Sequence, residues 1–305
     1  MGAITVKKSA TYSGHRDCVY TLEKDCESRF FSGAGDGMVV NWDLNEPDKG
    51  TLIAKVKNSV YSLHFSPEKK YLYIGHNFEG IHMVDPHSKA EVQSASITKA
   101  AIFDIKSYQD WLFVGTGDGF LIILSLEDLS TIAKFKVSDK SLRTFAVDPL
   151  GRFLAAGFSD NSFRVFDLQD NFKKVYEVTA HENSIFTLRF SPDGKFLLSG
   201  SRDAHLKVWS CEQNFKLHSS IVAHMYAINS IDYNSNGNLF ATCSMDKSIK
   251  IWDAERFALL KVIDKARHAG HGTSVNKLYW SSYNNQLVSC SDDRSISVWD
   301  LKESI

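Results

Sequence analysis

The sequence predicts an all-β fold built from seven copies of one unit, each copy forming a small sheet of four antiparallel strands. Three observations lead to this prediction. A set of polar residues and a tryptophan recurs along the chain at nearly constant spacing. Short runs of alternating apolar residues, such as LKVW and IKIW, lie between turn signals such as SPDGK and Asp36-Gly37. No window of helical length carries a convincing 3.6-residue apolar stripe.

The complete polar set contains a histidine, a serine or threonine, an aspartate and a tryptophan, and it occurs four times. In each copy the serine or threonine lies four residues before the aspartate, the tryptophan six residues after it, and the histidine 21 or 22 residues before it. The four sets are His15–Ser32–Asp36–Trp42, His181–Ser199–Asp203–Trp209, His224–Thr242–Asp246–Trp252 and His271–Ser289–Asp293–Trp299. Serine, histidine and aspartate are the components of a hydrolase triad. Four copies at one spacing indicate a structural role instead.

Three weaker copies lie between the first and second complete sets, at residues 71–85, 111–125 and 153–167. They hold Val84, Leu124 and Phe166 in place of tryptophan, so we expect apolar packing to replace hydrogen bonds there and local opening to be easier. The tryptophan position thus runs through residues 42, 84, 124, 166, 209, 252 and 299, with a period of 40 to 47. One such sheet cannot bury both faces alone, so we expect residues 1–305 to form one domain of stacked sheets.

The repeated unit, with Gly-His at 14–15 and 270–271 and Trp-Asp at 42–43, 252–253 and 299–300, resembles the WD-repeat family. The resemblance covers essentially the whole chain. It implies a closed seven-bladed β-propeller of four-stranded antiparallel blades, in which each polar set forms a buried hydrogen-bonded chain. Only five residues follow Asp300, whereas AITVKKSATY precedes the first repeat. The N-terminal strand is therefore expected to complete the last blade and to remove a free sheet edge.

Composition narrows the classes of function. The chain is 43% hydrophobic and 23% charged, as in soluble globular proteins. A net charge of −1 predicts no general binding to nucleic acid or to anionic membranes. The sequence shows no signal peptide or membrane span, and its five unclustered cysteines favour a reducing compartment. We expect a cytoplasmic protein, with the nucleus as the alternative.

Two further motifs resemble ligand sites and are interpreted as structural. The glycine-rich segments at 33–37 and 115–119 align with hairpin turns, and no helix follows them to bind phosphate. His268 and His271 form an HxxH motif, but His271 belongs to a polar set and no further ligands cluster nearby. The sequence thus predicts no catalytic residues, no metal and no cofactor.

The resemblance implies that partners bind on the narrow face around the central channel, through three positions in each blade. The residue five after the histidine position is Tyr20, Tyr61, Phe103, Arg143, Phe186, Asn229 and Asn276 in the seven blades. The residue three after it is always small or a cysteine, which leaves those side chains accessible. The residue before the turn aspartate contributes Arg202, Met245 and Asp292. These ten residues are the predicted partner-binding set; the alternative is that the aromatic residues only line the channel or core.

The favoured function is a non-catalytic protein–protein interaction scaffold that works with other proteins in a complex. Aromatic residues and arginine dominate interface energetics, and their combination favours a ligand with an apolar anchor and an acidic group. One alternative is a reader of methylated lysine, with Tyr20, Tyr61, Phe103 and Phe186 as an aromatic cage. A less favoured alternative is an enzyme with a channel site, which would need acidic or histidine residues converging there.

Overall fold

The structure is a computed structural model that describes residues 4–26, 28–78 and 80–303. These residues form 28 β-strands arranged in seven four-stranded sheets, together with one short α-helix and one 3₁₀ turn. Strands that are consecutive within a sheet's segment of the chain pair antiparallel, as the first and last strands of the chain also do in the seventh sheet. The fold is therefore the all-β, seven-bladed propeller that the repeats predict.

Tight turns join the two central strands of the blades, and the repeated aspartate lies within them. The residue after that aspartate has a positive φ in several blades, for example 77° at Gly37 and 80° at Gly119. Glycine adopts this conformation without strain, which explains the Asp-Gly pairs of the sequence. The aspartate also accepts a backbone hydrogen bond across the turn, as Asp36 Oδ1 does from the N–H of Met38 at 2.9 Å.

The described residues divide into two compact units. The first comprises residues 4–60 and 229–303 and contains blades 1, 6 and 7. Blade 1 consists of β2 (Val19–Lys24), β3 (Arg29–Ala34), β4 (Met38–Asp43) and β5 (Glu46–Lys55). Blade 6 consists of β22 (Ile228–Tyr233), β23 (Leu239–Ser244), β24 (Ile249–Asp253) and β25 (Leu259–Ile263), and α1 (Lys265–His268) follows it. Blade 7 consists of β26 (Val275–Trp280), β27 (Leu287–Ser291), β28 (Ile296–Glu303) and β1 (Ile4–Tyr12).

The pairing of β1 with β28 confirms that the N-terminal strand completes the last blade. The register runs antiparallel from the pair Ile4 and Glu303 to the pair Tyr12 and Ile296, with one irregularity between Lys8 and Ala10. Tyr12 is buried, and its hydroxyl donates to the carbonyl of Asp43 in blade 1 at 3.0 Å. The strand is thus bound through its backbone and through its last side chain.

The second unit comprises residues 61–228 and contains blades 2 to 5, with the first strand beginning at Val60. Blade 2 consists of β6 (Val60–Ser66), β7 (Tyr71–His76), β8 (Gly80–Asp85) and β9 (Ala90–Ala95). Blade 3 consists of β10 (Ile102–Tyr108), β11 (Trp111–Thr116), β12 (Phe120–Ser125) and β13 (Thr131–Lys136). Blade 4 consists of β14 (Leu142–Val147), β15 (Phe153–Phe158), β16 (Ser162–Asp167) and β17 (Lys174–Thr179). Blade 5 consists of β18 (Ile185–Phe190), β19 (Phe196–Ser201), β20 (His205–Ser210) and β21 (Lys216–Val222).

The hydrophobic core lies between the facing sheets of successive blades within each unit. In the second unit, Phe113 of blade 3 packs in one buried cluster with Phe145 and Phe166 of blade 4. In the first unit, Trp299 of blade 7 packs in one cluster with Ile251 of blade 6. Sheet stacking therefore supplies the burial that a single blade lacks. Along the described chain, no helix has the length and apolar character needed to cross a membrane.

Candidate partner-binding site

The repeated polar sets form buried hydrogen-bonded chains, as the family resemblance implies. In blade 5, the indole N–H of Trp209 donates to Ser199 Oγ at 2.9 Å, and Ser199 Oγ lies 2.7 Å from His181 Nε2. His181 Nδ1 lies 2.9 Å from Asp203 Oδ2, which also accepts the backbone N–H of Glu182 at 2.9 Å. Ser199 is fully buried and its hydroxyl is engaged by tryptophan and histidine. The set therefore joins the blade's strands and turns, as a structural role requires.

The sets of blades 1 and 7 share this geometry, and blade 6 shares its hydrogen bond from the tryptophan. Trp42 donates to Ser32 at 2.7 Å, Trp252 to Thr242 at 2.9 Å, and Trp299 to Ser289 at 2.9 Å. His15 and His271 bridge serine and aspartate in blades 1 and 7. Buried polar groups persist only when they are satisfied, so each chain specifies one geometry for its blade.

Burial and partnership shift the pKa values within blade 5. Burial lowers the pKa of His181, and the hydrogen bond and charge of Asp203 offset this only in part. Burial alone would raise the pKa of Asp203, but His181 and the N–H groups of His205 and Glu182 outweigh it and hold the pKa well below its ordinary value. Both residues are therefore suited to a fixed neutral-histidine and carboxylate pair at neutral pH.

Blades that lack the complete set are not uniformly apolar. Val84, Leu124 and Phe166 are buried, as expected. Blade 4 nevertheless contains a second kind of polar network, in which buried Arg164 lies 2.9 Å from Asp160 Oδ2 and 2.9 Å from Glu177 Oε1. Sequence inspection missed Arg164, because it lies two residues before the tryptophan position and outside the repeated set.

Four of the predicted binding residues form one continuous stack in the second unit, the aromatic–arginine stack (Tyr61, Phe103, Arg143 and Phe186). They lie on β6, β10, β14 and β18, the first strand of each of blades 2 to 5. The ring centroids of Tyr61 and Phe103 are 5.8 Å apart. The guanidinium carbon of Arg143 lies 3.9 Å from the centroid of Phe103 and 4.9 Å from that of Phe186. All four side chains are half-buried, so each keeps an accessible part.

The guanidinium of Arg143 is held by rings and not by acids. Within residues 4–26, 28–78 and 80–303, its side chain makes no ion pair and no hydrogen bond. Burial lowers the pKa of Arg143, and the Tyr61 hydroxyl opposes this in part. A guanidinium carries five N–H donors. Those of Arg143 have no acceptor within the described residues.

Small neighbours frame the stack. A Cβ built at Gly117 would lie 3.3 Å from the ring of Phe103, so glycine leaves room for that ring. The Ser141 hydroxyl donates to the carbonyl of Gly117 at 2.8 Å and links blades 3 and 4 beside the stack. Arg202 lies in the same unit and is exposed, with its backbone N–H bonded to Ser184.

The predicted residues of the first unit have a different arrangement. The Asn276 amide donates to the carbonyl of Val19 at 2.9 Å and to Asp292 Oδ1 at 2.8 Å. The Asn229 amide donates to the carbonyl of Val275 at 2.8 Å. The side chains of Asn276 and Asn229 therefore link neighbouring blades within their unit, and Asp292 accepts from Asn276 within blade 7. Tyr20 is half-buried on β2, and Met245 is exposed.

The described residues form neither a metal-binding cluster nor a reactive cysteine site. They contain no group of three or more His, Cys, Asp or Glu side chains that could hold a metal ion. The five cysteines are free, and burial raises the pKa of Cys211 to about 12. A thiol with a raised pKa is a weak nucleophile at neutral pH.

The sequence and the fold were compared with those of known proteins. The family model described as "WD domain, G-beta repeat" matches residues 6–43, 129–167, 172–210, 215–253 and 264–300. The crystal structure of the WD40 beta propeller domain of Doa1 superposes with a TM-score of 0.85 over 97% of each chain, at 18% identity, which supports the fold alone.

Curated relatives are more distant and match part of the chain. "Eukaryotic translation initiation factor 3 subunit I" of Drosophila yakuba is 24% identical over 178 residues, covering 57% of this chain and 46% of that protein. "WD repeat-containing protein SL1-17" of Schistosoma mansoni is 21% identical over 162 residues, covering 52% and 54%. The chain spans about half the length of the curated relatives it matches. Because the repeat model matches more than half of the sequence, the chain belongs to the WD40-repeat family.

Proposed function

We propose that this protein is a non-catalytic scaffold that binds a segment of a partner protein at the aromatic–arginine stack. The single observation that carries the proposal is the stack itself, in which Tyr61, Phe103, Arg143 and Phe186 are in contact and remain partly accessible. Clusters of aromatic residues and arginine supply most of the binding energy in many interfaces. Arg202, another residue of the predicted binding set, is exposed in the same unit.

The methyl-lysine alternative is less well supported by this geometry. A methylated lysine needs open aromatic faces that surround a cation. The guanidinium of Arg143 already occupies the space between Phe103 and Phe186. A second cation would compete for the same ring faces and would be repelled by Arg143.

A role inside a protein complex is the second part of the proposal. The name of the translation-factor relative identifies that protein as a subunit of a larger factor. WD40 propellers are typical interaction scaffolds, and the chain's net charge of −1 does not favour nucleic acid as the partner. We place this function in the cytoplasm, in agreement with the reducing compartment that the free cysteines favour.

Affinity purification from native extract tests the proposal. Wild type is compared with a Tyr61/Phe103/Arg143 triple alanine variant and with a control triple variant, Ile132/Phe135/Lys216 to alanine. The control removes an apolar residue, an aromatic residue and a cation that are exposed on the outer strands β13 and β21. The proposal expects a protein recovered with wild type and control but lost with the stack variant. Recovery of the same proteins with all three would contradict it.

A further inference from the structure

We infer, resting on the proposed function, that the aromatic–arginine stack recognises a carboxylate side chain of the bound segment, with Arg143 as the anion-binding group. Phe103 and Phe186 act as the walls that hold the guanidinium in place. The segment therefore presents a glutamate or aspartate to Arg143, with an apolar residue beside it to contact the exposed parts of the rings.

The geometry determines how such a carboxylate approaches. The ring centroids of Phe103 and Phe186 lie 3.9 and 4.9 Å from the guanidinium carbon of Arg143. A carboxylate therefore cannot approach the guanidinium where these two rings lie. The N–H donors of a guanidinium point outward in its plane. A carboxylate at the accessible edge accepts two parallel N–H bonds, which is the preferred pairing of these two groups.

The charge of the site is unbalanced in the free protein. Most buried or half-buried arginines of this chain have an acid, as Arg152 has Asp148 at 2.5 Å and Arg164 has Asp160 at 2.9 Å. Arg143 has no such partner within the described parts of the chain. Partial desolvation without a counter-charge is costly, and a ligand carboxylate removes that cost. Charge complementarity thus selects an acidic segment.

A carboxylate fits this site better than a phosphate. Phosphate-recognition sites in proteins usually combine several arginines. Within the described residues, Arg143 is the one cation that lies over the rings of the stack. A single guanidinium balances the one negative charge of a carboxylate but not the higher charge of a phosphate.

Fluorescence polarisation with oriented peptide libraries tests this inference. Four fluorescein-labelled nonapeptide libraries carry glutamate, glutamine, phosphoserine or trimethyllysine at the central position, and all other positions are degenerate. We expect wild type to bind the glutamate library about tenfold more tightly than the glutamine library, the size of one charge-assisted hydrogen-bonded contact. Tightest binding of phosphoserine or trimethyllysine would overturn the inference.

Two variants of Arg143 and one matched control test whether the preference for glutamate depends on Arg143. Arg143→Ala should abolish the preference for glutamate, and Arg143→Lys should retain only part of it, because an ammonium group neither stacks nor binds bidentately. Arg256→Ala, an exposed arginine after β24, should bind like wild type. Preference retained in Arg143→Ala overturns the inference.

The libraries also separate this inference from the proposed function. Equal binding of glutamate and glutamine libraries, lost in Phe186→Ala, overturns the carboxylate assignment and leaves the scaffold proposal standing. Absence of binding by all four libraries likewise overturns the carboxylate assignment. The scaffold proposal is then decided by the affinity purification alone.

Discussion

Arg143 and Phe103 are in cation–π contact, with 3.9 Å between the guanidinium carbon and the ring centroid. The two residues come from adjacent blades, on β14 and β10. Each occupies the same position of its repeat, so the contact joins corresponding points of successive blades. A repeated fold can thus assemble one recognition surface from several weakly similar units.

Replacing Arg143 and replacing Arg164 should change the free energy of unfolding by different amounts, although both residues belong to blade 4. Arg143→Leu leaves no acid unpaired, so its free energy of unfolding should stay within about 1 kcal/mol of wild type. Arg164→Leu leaves the half-buried Asp160 without its cation and should cost about 3 kcal/mol or more. Urea denaturation of both variants measures the difference. Equal stability of the two variants contradicts the assignment of Arg164 to a structural network.

Ser199 should be a structural residue and not a nucleophile. Ser199→Ala removes the acceptor of Trp209 and the partner of His181, at a cost of about 1–3 kcal/mol. Thermal denaturation measures this loss, with exposed Ser220→Ala on β21 as the matched control. Serine-directed covalent probes should label neither protein. Stoichiometric labelling of Ser199 would reverse the interpretation of all four polar sets.

Stability should fall as the solution becomes acidic. The pKa of His181 is lowered on folding, so below about pH 6.5 the unfolded chain binds more protons and is favoured. The pKa of Asp203 is lowered as well, so its contribution is present above about pH 4 and is lost as the pH falls further. Denaturant midpoints between pH 7.5 and pH 3 measure this decline. Asp203→Asn should show a shallower decline below pH 4, and a wild-type midpoint that stays constant over the whole range would refute the assignment.

Removal of β1 should destabilise the protein and promote self-association. Deleting residues 1–12 leaves β28 without its outer partner and removes the buried Tyr12. An unpaired strand edge is a template for pairing with another molecule. Size-exclusion chromatography and thermal melting measure both effects, with Lys7→Ala as a control that leaves the strand in place. A deletion variant that melts and elutes like wild type contradicts the closure.

The sequence was sufficient for the fold because its strongest signals are periodic. The spacing of Trp42, Trp209, Trp252 and Trp299 predicted the blades, and the unclaimed N-terminal segment predicted the pairing of β1 with β28. The network of Arg164 escaped prediction, because its partners are defined by cross-strand register and not by the repeat. A register of this kind follows from the folded geometry.

The candidate site was predictable in position and less so in detail. Equivalent repeat positions correctly grouped Tyr61, Phe103, Arg143 and Phe186 on the first strands of their blades. The same reasoning included Asn276 in the binding set as part of a polar sector, with a smaller expected effect on binding, but it did not predict the hydrogen bonds that Asn276 makes. Its hydrogen bonds to Val19 and Asp292 depend on the distance between neighbouring blades, which sequence spacing does not specify.

Binding of the recovered partner to Phe186→Ala, measured by isothermal titration calorimetry, tests the central claim most directly. Phe186 forms one wall of the Arg143 site, whereas Phe135 is exposed on the outer strand β13 and provides the matched control. Loss of a central aromatic contact typically costs about 2 kcal/mol or more, so Phe186→Ala should bind at least about 30-fold more weakly. Phe135→Ala should bind like wild type. Unchanged affinity of Phe186→Ala, or an equal loss in Phe135→Ala, would contradict the aromatic–arginine stack as the partner-binding site.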